Sequence, residues 1–340
     1  MHKIIEKKLN YKKFTVNSNL QYFKPHATKI EKTFEEEVSS SLNTPLKSIH
    51  PKFFYDKKGS DLFEKICFLP EYYPTRTEIS ILKKLGNDLS EYLDNDVRLV
   101  ELGSGSSVKT KLILDVLTKL QEKTEYFPID ISDILTESSG QLLQDYDDLH
   151  ITGIIDTYEG GLEFLKTYDG KKNLIIFLGS SFGNFLPSEG SDFLKKINST
   201  MKRGDLFLIG LDLVKNKTIL EPAYDDSEGI TAKFNLNVLS RINNELDADF
   251  NLENFSHHAI YNEDDQRIEM YLKSLVNQSV VLSKSNLSIT LKKDELIHTE
   301  YSYKYRLSQI SELLNSTGFE IKHTWLDKNQ YFSLTLASKN

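Results

Sequence analysis

The chain holds one cysteine, Cys67, in 340 residues, which excludes an intrachain disulfide and any metal site built on cysteine pairs. Its neighbours in KICFLP are apolar, so Cys67 reads as a small buried hydrophobe and not as a nucleophile. Long apolar runs are missing too: no stretch approaches the roughly 18 residues of a membrane span, and the start lacks the apolar segment of a signal peptide. A cytoplasmic protein without a membrane partner is expected. Positive charge is in deficit, with 42 Lys and Arg against 50 Asp and Glu and a formal net charge of −8. Binding nucleic acid needs a basic surface that displaces counterions from phosphate, so that class is set aside. The lysines near the start (Lys3, Lys7, Lys8, Lys12, Lys13) read as a solvated, flexible arm over residues 1–14. With 39% hydrophobic and 27% charged residues the chain is globular, and it is long enough for two domains.

From about residue 80 helix and strand patterns alternate. ILKKLGNDLSEYL (81–93) has helical spacing and RLVELGSG (98–105) is an apolar strand ending in glycines. TKLILDVLTKLQ is an amphipathic helix, and TEYFPIDIS and LHITGIIDTY are strands that each end near an acid. KNLIIFLGSSFGN and GDLFLIGLDLV are apolar enough to be central strands. Strict alternation predicts right-handed βαβ units and a parallel sheet. After Val214 the rhythm changes. ITAKFNLNVLSRINNEL (230–246) reads as one long helix, and residues 264–297 read as consecutive antiparallel strands. A helix (306–318) and a closing pair of strands return to the first pattern.

The stretch VELGSGSSVK (100–109) turns on Gly-x-Gly. A dinucleotide fingerprint needs a third glycine where Val108 stands, and the Gly-Lys-Ser/Thr ending of a phosphate loop is absent. Asp130 ends the next strand, where a carboxylate accepts hydrogen bonds from ribose hydroxyls. Asp156 ends the one after, where an acid can accept from an adenine amino group. Glu101, Gly103, Gly105 and these two acids suit S-adenosylmethionine, which carries a ribose, an adenine and an amino acid but no phosphate. The bland alternative is a tight turn with solvated acids at strand ends.

The segments FYDKKGSDLFEKICFLPEYYPTRTEISIL, LVELGSGSSVKTKLILD, FLGSSFGNF, AYDDSEGITAKFNLNVLSRINNELDADF, RIEMYLKS and TEYSYKYR together resemble the histidine Nα-methyltransferases, over roughly residues 35–340. EYYPTR and residues 224–250 are specific to that family; the Gly-x-Gly turn is not. The resemblance implies an α/β fold: a Rossmann-like class I methyltransferase core (78–213 with 305–340) and a smaller α+β substrate-binding domain (15–77 with 214–304). It implies three methylations of the α-amine of L-histidine to hercynine, through mono- and dimethylated intermediates, with S-adenosylmethionine as donor, S-adenosylhomocysteine as product and no metal.

Carried over residue by residue, the resemblance gives Gly103, Lys109, Asp130 and Asp156 to the cofactor. Gly179 and Asn184 match the loop at the substrate's amino-acid end, and Tyr55, Tyr72, Tyr224 and Phe234 its aromatic and hydroxyl contacts. Met270, Glu300 and Ser302 match the imidazole side. Tyr55 is the candidate hydroxyl near the reacting nitrogen, and Asn184 and Tyr224 are the expected partners of the α-carboxylate. Alternation along TEYSYKYR puts Glu300 and Ser302 on one strand face, with His298 on the same face. His257 and His258 are adjacent in sequence and diverge, so they are expected at the surface and not as a metal pair. A methyltransferase of the same fold acting on tryptophan or tyrosine is the alternative, which a carboxylate in the ring pocket opposes. A non-catalytic adenosyl-binding module is the remaining class. No heptad or long apolar stripe demands a partner subunit, so a monomer is the default.

Overall fold

The computed structural model describes residues 10–26, 32–105, 107–131 and 134–340. Two strands open it, β1 (Tyr11–Thr15) and β2 (Leu20–Pro25), followed later by β3 (Val97–Leu102), β4 (Thr124–Asp130), β5 (Leu149–Ile155), β6 (Lys172–Phe177) and β7 (Leu206–Asp212). Next come β8 (Phe255–Asn262), β9 (Arg267–Ser274), β10 (Gln278–Leu282), β11 (Leu287–Leu291) and β12 (Leu296–Tyr303). The chain closes on β13 (Phe319–Leu326) and β14 (Phe332–Lys339).

A nine-stranded sheet runs in the order β1-β2-β5-β4-β3-β6-β7-β14-β13. Strands β2 to β7 are parallel where they pair, and β14 lies antiparallel between β7 and β13. Along the central strands the side chains alternate between two apolar clusters. Val100, Phe127, Ile175 and Phe207 enter one; Leu99, Tyr126, Leu174 and Leu208 enter the other. Helices cover both faces, as a parallel sheet requires. The strand order switches direction at β3, between β4 and β6, and the antiparallel β14 is inserted between β7 and β13.

The hairpin β1–β2 corrects the expected boundaries. Residues 10–25 are neither an arm nor the start of the substrate unit; they extend the core sheet through parallel pairing of β2 with β5. The reason lies in Tyr11, Leu20, Tyr22 and Phe23, all buried against that edge. Residues 1–9, with Lys3, Lys7 and Lys8, lie outside the described residues. The helix read at 81–93 is also differently divided. One helix spans Tyr73–Leu82 and a short one Gly86–Ser90. The first starts early because Pro74 sits in its first turn, where a missing N–H costs nothing.

A second apolar cluster system holds the rest together. Helix Ile230–Leu246 buries Phe234, Val238, Ile242 and Leu246, one stripe at i+4 spacing, with Asn235 and Leu239 beside it. It packs against helix Lys57–Phe68 and the sheet β12-β9-β8, and Phe54, Ile66, Ile268 and Leu272 complete this core.

The two units meet at a buried ion cluster. Asp212, the last residue of β7, accepts from Lys304 Nζ at 2.9 Å, just beyond β12, and from Lys215 Nζ at 2.6 Å. The Tyr73 hydroxyl donates to the same carboxylate at 2.6 Å. Burial alone would raise the Asp212 carboxyl, but the two ammonium groups hold it below its ordinary range. Asp212→Ala strands two buried ammonium groups and is expected to cost about 3–5 kcal/mol in urea unfolding. A loss below about 1 kcal/mol would show that the seam does not depend on this carboxylate.

Candidate active site

Beyond β3 the chain turns at Gly103, whose φ of +80° and lack of a Cβ are both used: a Cβ there would lie 2.7 Å from the Tyr158 hydroxyl. Gly103 N donates to Ile129 O at 2.9 Å and Ser104 N to Asp130 Oδ2 at 3.2 Å, which ties the turn to the end of β4. Asp156 follows β5, is buried, and accepts from Thr157 N at 2.7 Å and from the Tyr11 hydroxyl. Gly103, Asp130 and Asp156 thus lie along the carboxyl ends of the parallel strands, where open α/β sheets bind ligands. Two carboxylates at neighbouring strand ends, one of them bonded to the glycine turn, fit a ligand with hydroxyls and an amino group; they would repel a phosphate. Glu101 faces inward instead. It accepts from Thr110 Oγ1 at 2.8 Å and from the Tyr126 hydroxyl, and burial pushes its carboxyl up to about 7.

Lys109 sits in the first turn of helix Val108–Leu120 and reaches across to a residue that sequence reading missed. Its Nζ lies 2.7 Å from Glu78 Oε2, and Glu78 is wholly buried. The same carboxylate accepts from Gly179 N at 2.9 and 3.1 Å. Gly179 has φ +81°, and a Cβ on it would lie 3.1 Å from Lys109 Nζ. Glu78 therefore joins the first turn of helix Val108–Leu120 to the Gly179 loop. Nothing in ISILKK-type helical spacing marks it out, since it occupies a core position of its helix.

The expected substrate residues converge on one cavity. Tyr55, Tyr72, Gly179, Asn184, Tyr224, Phe234, Met270, Glu300 and Ser302 all line it, together with Phe63, Thr231 and Pro74, which were not anticipated. Local structure explains the placements. Tyr55 falls between the 3-10 turn Pro51–Phe54 and a helix capped by Asp56, whose Oδ1 accepts from Gly59 N at 2.6 Å. Tyr72 precedes the helix that Pro74 starts. Asn184 ends the 3-10 turn Ser181–Asn184, and the next helix begins only at Pro187, so Asn184 is not its cap. Gly183 in that turn packs on β12: a Cβ would meet Tyr303 O at 2.8 Å. Edge-on ring pairs run along one wall: Tyr55–Phe63 (centroids 5.6 Å), Phe63–Tyr72 (6.2 Å) and Tyr72–Tyr224 (6.2 Å).

Strand β12 carries the polar wall. Glu300 stands opposite Met270 and Ser302 opposite Ile268, on the cavity face. His298 is not with them. A bulge between His298 and Glu300 inserts one residue, so His298 pairs with Tyr271 and turns to the other face, its ring 3.8 Å from that of Tyr301. His257 is also displaced from its expected surface position. Its Nδ1 takes the Asn235 amide N–H at 2.9 Å, which leaves Nε2 to donate to Tyr224 O at 2.8 Å, so it holds the Tyr224 backbone from behind. Among the described residues no group of three or more His, Cys, Asp or Glu could hold a metal ion. None of their helices is long and apolar enough to cross a membrane.

Charge in the cavity is set by burial. The Glu300 carboxyl is pushed up to about 7 by desolvation, with Lys304 pulling the other way. Tyr55 is 43% exposed, yet burial of its hydroxyl and the nearby Glu300 charge hold the phenol well above its ordinary range. Burial would lower Lys304, but Asp212 and Tyr224 outweigh it and the ammonium is held above its ordinary range. Lys215 moves the other way, down to about 8, through burial and the neighbouring Lys304 charge.

The sheet, the glycine turn and the acids at the strand ends define a methyltransferase that uses S-adenosylmethionine. The profile of the family described as "Histidine-specific methyltransferase, SAM-dependent" matches residues 34–339, and the chain belongs to that family. It is 38% identical over 302 residues to the histidine N-alpha-methyltransferase of Mycolicibacterium smegmatis, covering 88% of this chain and 93% of that one. The protein of the same name from Mycobacterium tuberculosis is 38% identical over 304 residues, covering 89% and 94%. Ergothioneine biosynthesis protein 1 of Neurospora crassa is 29% identical over 291 residues, covering 84% of this chain and 32% of its own longer one.

Glu300 yields a test of the cavity's dryness. A carboxyl raised on folding stabilises the protein below its unfolded pKa of about 4.3, and that contribution is lost as pH rises through about 7. Glu300→Gln removes the titration. Its melting temperature relative to the parent should therefore be higher at about pH 8 than at about pH 5. A difference that does not change with pH would place Glu300 in solvent.

Proposed function

We propose that the protein transfers three methyl groups in succession to the α-amine of free L-histidine, giving hercynine for ergothioneine formation. The observation that carries this reading is the pairing of Glu300 and Ser302 on one strand face, inside the cavity that opens on the Gly179 loop. S-adenosylmethionine, when bound, supplies a methyl group on a sulfonium sulfur. Asp130 would hold its ribose, Asp156 its adenine amino group, and Gly103 with Lys109 its amino-acid end.

On the substrate side each residue meets one part of an amino acid. The Asn184 amide and the Tyr224 hydroxyl take the α-carboxylate. Glu300 and Ser302 take the ring nitrogens, and Met270 packs on the ring edge. A buried carboxylate and hydroxyl left unpaired by a phenyl or isobutyl side chain penalise those substrates. The α-amine must present a lone pair, so it must lose a proton first. Tyr55 does not take that proton, because its phenol is held protonated by burial and by Glu300. It orients the amine, and the proton passes to water. As N–H bonds are replaced by methyls, hydrogen bonding fades and a fixed cation forms. The faces of Phe234, Tyr55 and Phe63 accommodate it without needing a donor. Their rings lie 5.6 to 5.9 Å apart.

Mass spectrometry of the purified protein with S-adenosylmethionine and the twenty amino acids pooled should show a gain of three methyl groups on histidine alone. Methylation of another amino acid would overturn the ring assignment and leave the cofactor assignment standing. Glu300→Ala should reduce the kcat/KM preference for histidine by at least about tenfold, with calorimetric cofactor affinity unchanged. Asp130→Ala should do the reverse, weakening S-adenosylmethionine binding by about tenfold. Equal cofactor affinity in that variant would remove Asp130 from the ribose.

A further inference from the structure

Lys304 has so far only an ion-pair role with Asp212, yet its ammonium also touches two hydroxyls of the cavity. Its side chain is 0% exposed, and Nζ donates to Asp212 Oδ2 at 2.9 Å, Tyr224 Oη at 2.8 Å and Ser302 Oγ at 2.8 Å. An ammonium has three N–H bonds and no lone pair. All three are spent, and both hydroxyl oxygens are acceptors toward Lys304. Those oxygens also lie 2.8 Å from each other, so one hydroxyl donates to the other. Two hydroxyl protons are involved: one lies between the oxygens, and the other points into the cavity.

The α-carboxylate decides which hydroxyl keeps the free proton. A carboxylate only accepts, so Tyr224 must donate to it. Ser302 then donates to Tyr224, accepts from Lys304, and is left with one lone pair for the substrate. We infer that Lys304 is a positioning residue that makes Ser302 a hydrogen-bond acceptor, so that histidine binds with one ring N–H directed at Ser302 and its other ring nitrogen sharing a proton with Glu300. This deepens the proposed function and rests on its assignment of the carboxylate and ring contacts. The consequence is sharper than selection for size. A ring that offers only a bare nitrogen or a carbon to Ser302 leaves a buried acceptor unpaired.

The test uses the full chain with S-adenosylhomocysteine and L-histidine labelled with nitrogen-15 at both ring positions. Nitrogen chemical shifts near neutral pH distinguish a protonated from a bare ring nitrogen, and Ser302→Ala identifies the nitrogen that faces position 302. The resonance moved by that substitution should belong to a protonated nitrogen. If it belongs to a bare nitrogen, Ser302 is a donor and the inference falls while the site assignment stands. If neither resonance moves and Glu300→Ala leaves histidine affinity unchanged, the ring lies elsewhere and both fall.

Lys304→Met supplies the second measurement. Histidine KM should rise about tenfold or more, while kcat and the affinity for S-adenosylhomocysteine stay within about twofold. An unchanged KM, or losses of the same size in KM and in S-adenosylhomocysteine affinity, would overturn the positioning role. Should that variant fail to fold, the labelled histidine compared between the unaltered protein and Ser302→Ala still decides.

Discussion

The buried contact between Lys304 and Asp212 sets the relation between the two halves of the molecule. One residue closes the last parallel strand of the cofactor sheet; the other follows the strand that carries Glu300 and Ser302. Both side chains are 0% exposed, so each charge has given up water and depends on the other. A lone pair of this kind is a weak source of stability, because desolvation offsets most of the attraction. Here the carboxylate also takes Lys215 and the Tyr73 hydroxyl, and the ammonium takes two hydroxyls of the cavity. The same ammonium that locks the seam therefore also bonds two hydroxyls of the cavity wall.

A second carboxylate acts in the same manner at the cofactor side. Glu78 belongs to the helix that follows Tyr72, yet its oxygens meet Lys109 and the Gly179 backbone. The start of helix Val108–Leu120, the Gly179 loop and helix Tyr73–Leu82 are thus tied through one buried acid. Around these polar joints the walls are aromatic. That division suits the proposed reaction, whose substrate begins with N–H donors and ends as a fixed cation: in the proposed pose polar groups hold the carboxylate and ring, which do not change, and aromatic faces surround the amine, which does.

Much of this was legible before any fold was seen. The parallel core follows from strands apolar on both faces, and the cofactor class from Gly103 and Gly105 with acids after the next two strands. Glu300 and Ser302 come from the family resemblance, and a period of two puts them on one strand face. The same period points to Lys304 as the next residue on that face, a signal present in TEYSYKYR but not used. His298 misled because a bulge is a local slip in register, and alternation alone carries no mark of it. The hairpin at residues 11–25 misled because lysines interleaved with aromatics read as solvated until a sheet edge is there to cover Tyr11 and Phe23.

What the sequence by itself determined is which surfaces had to be buried and which chemical groups stood at strand ends, since both depend on residue type and short-range spacing. The tertiary structure alone decided the pairings across long separations: Tyr11 with Asp156, Glu78 with Lys109 and Gly179, Asp212 with Lys304. Such pairs leave no periodic trace, because each partner looks locally like an ordinary polar residue in an apolar stretch. Only when distant strands and helices are brought together does a buried charge acquire the neighbours that make its burial tolerable.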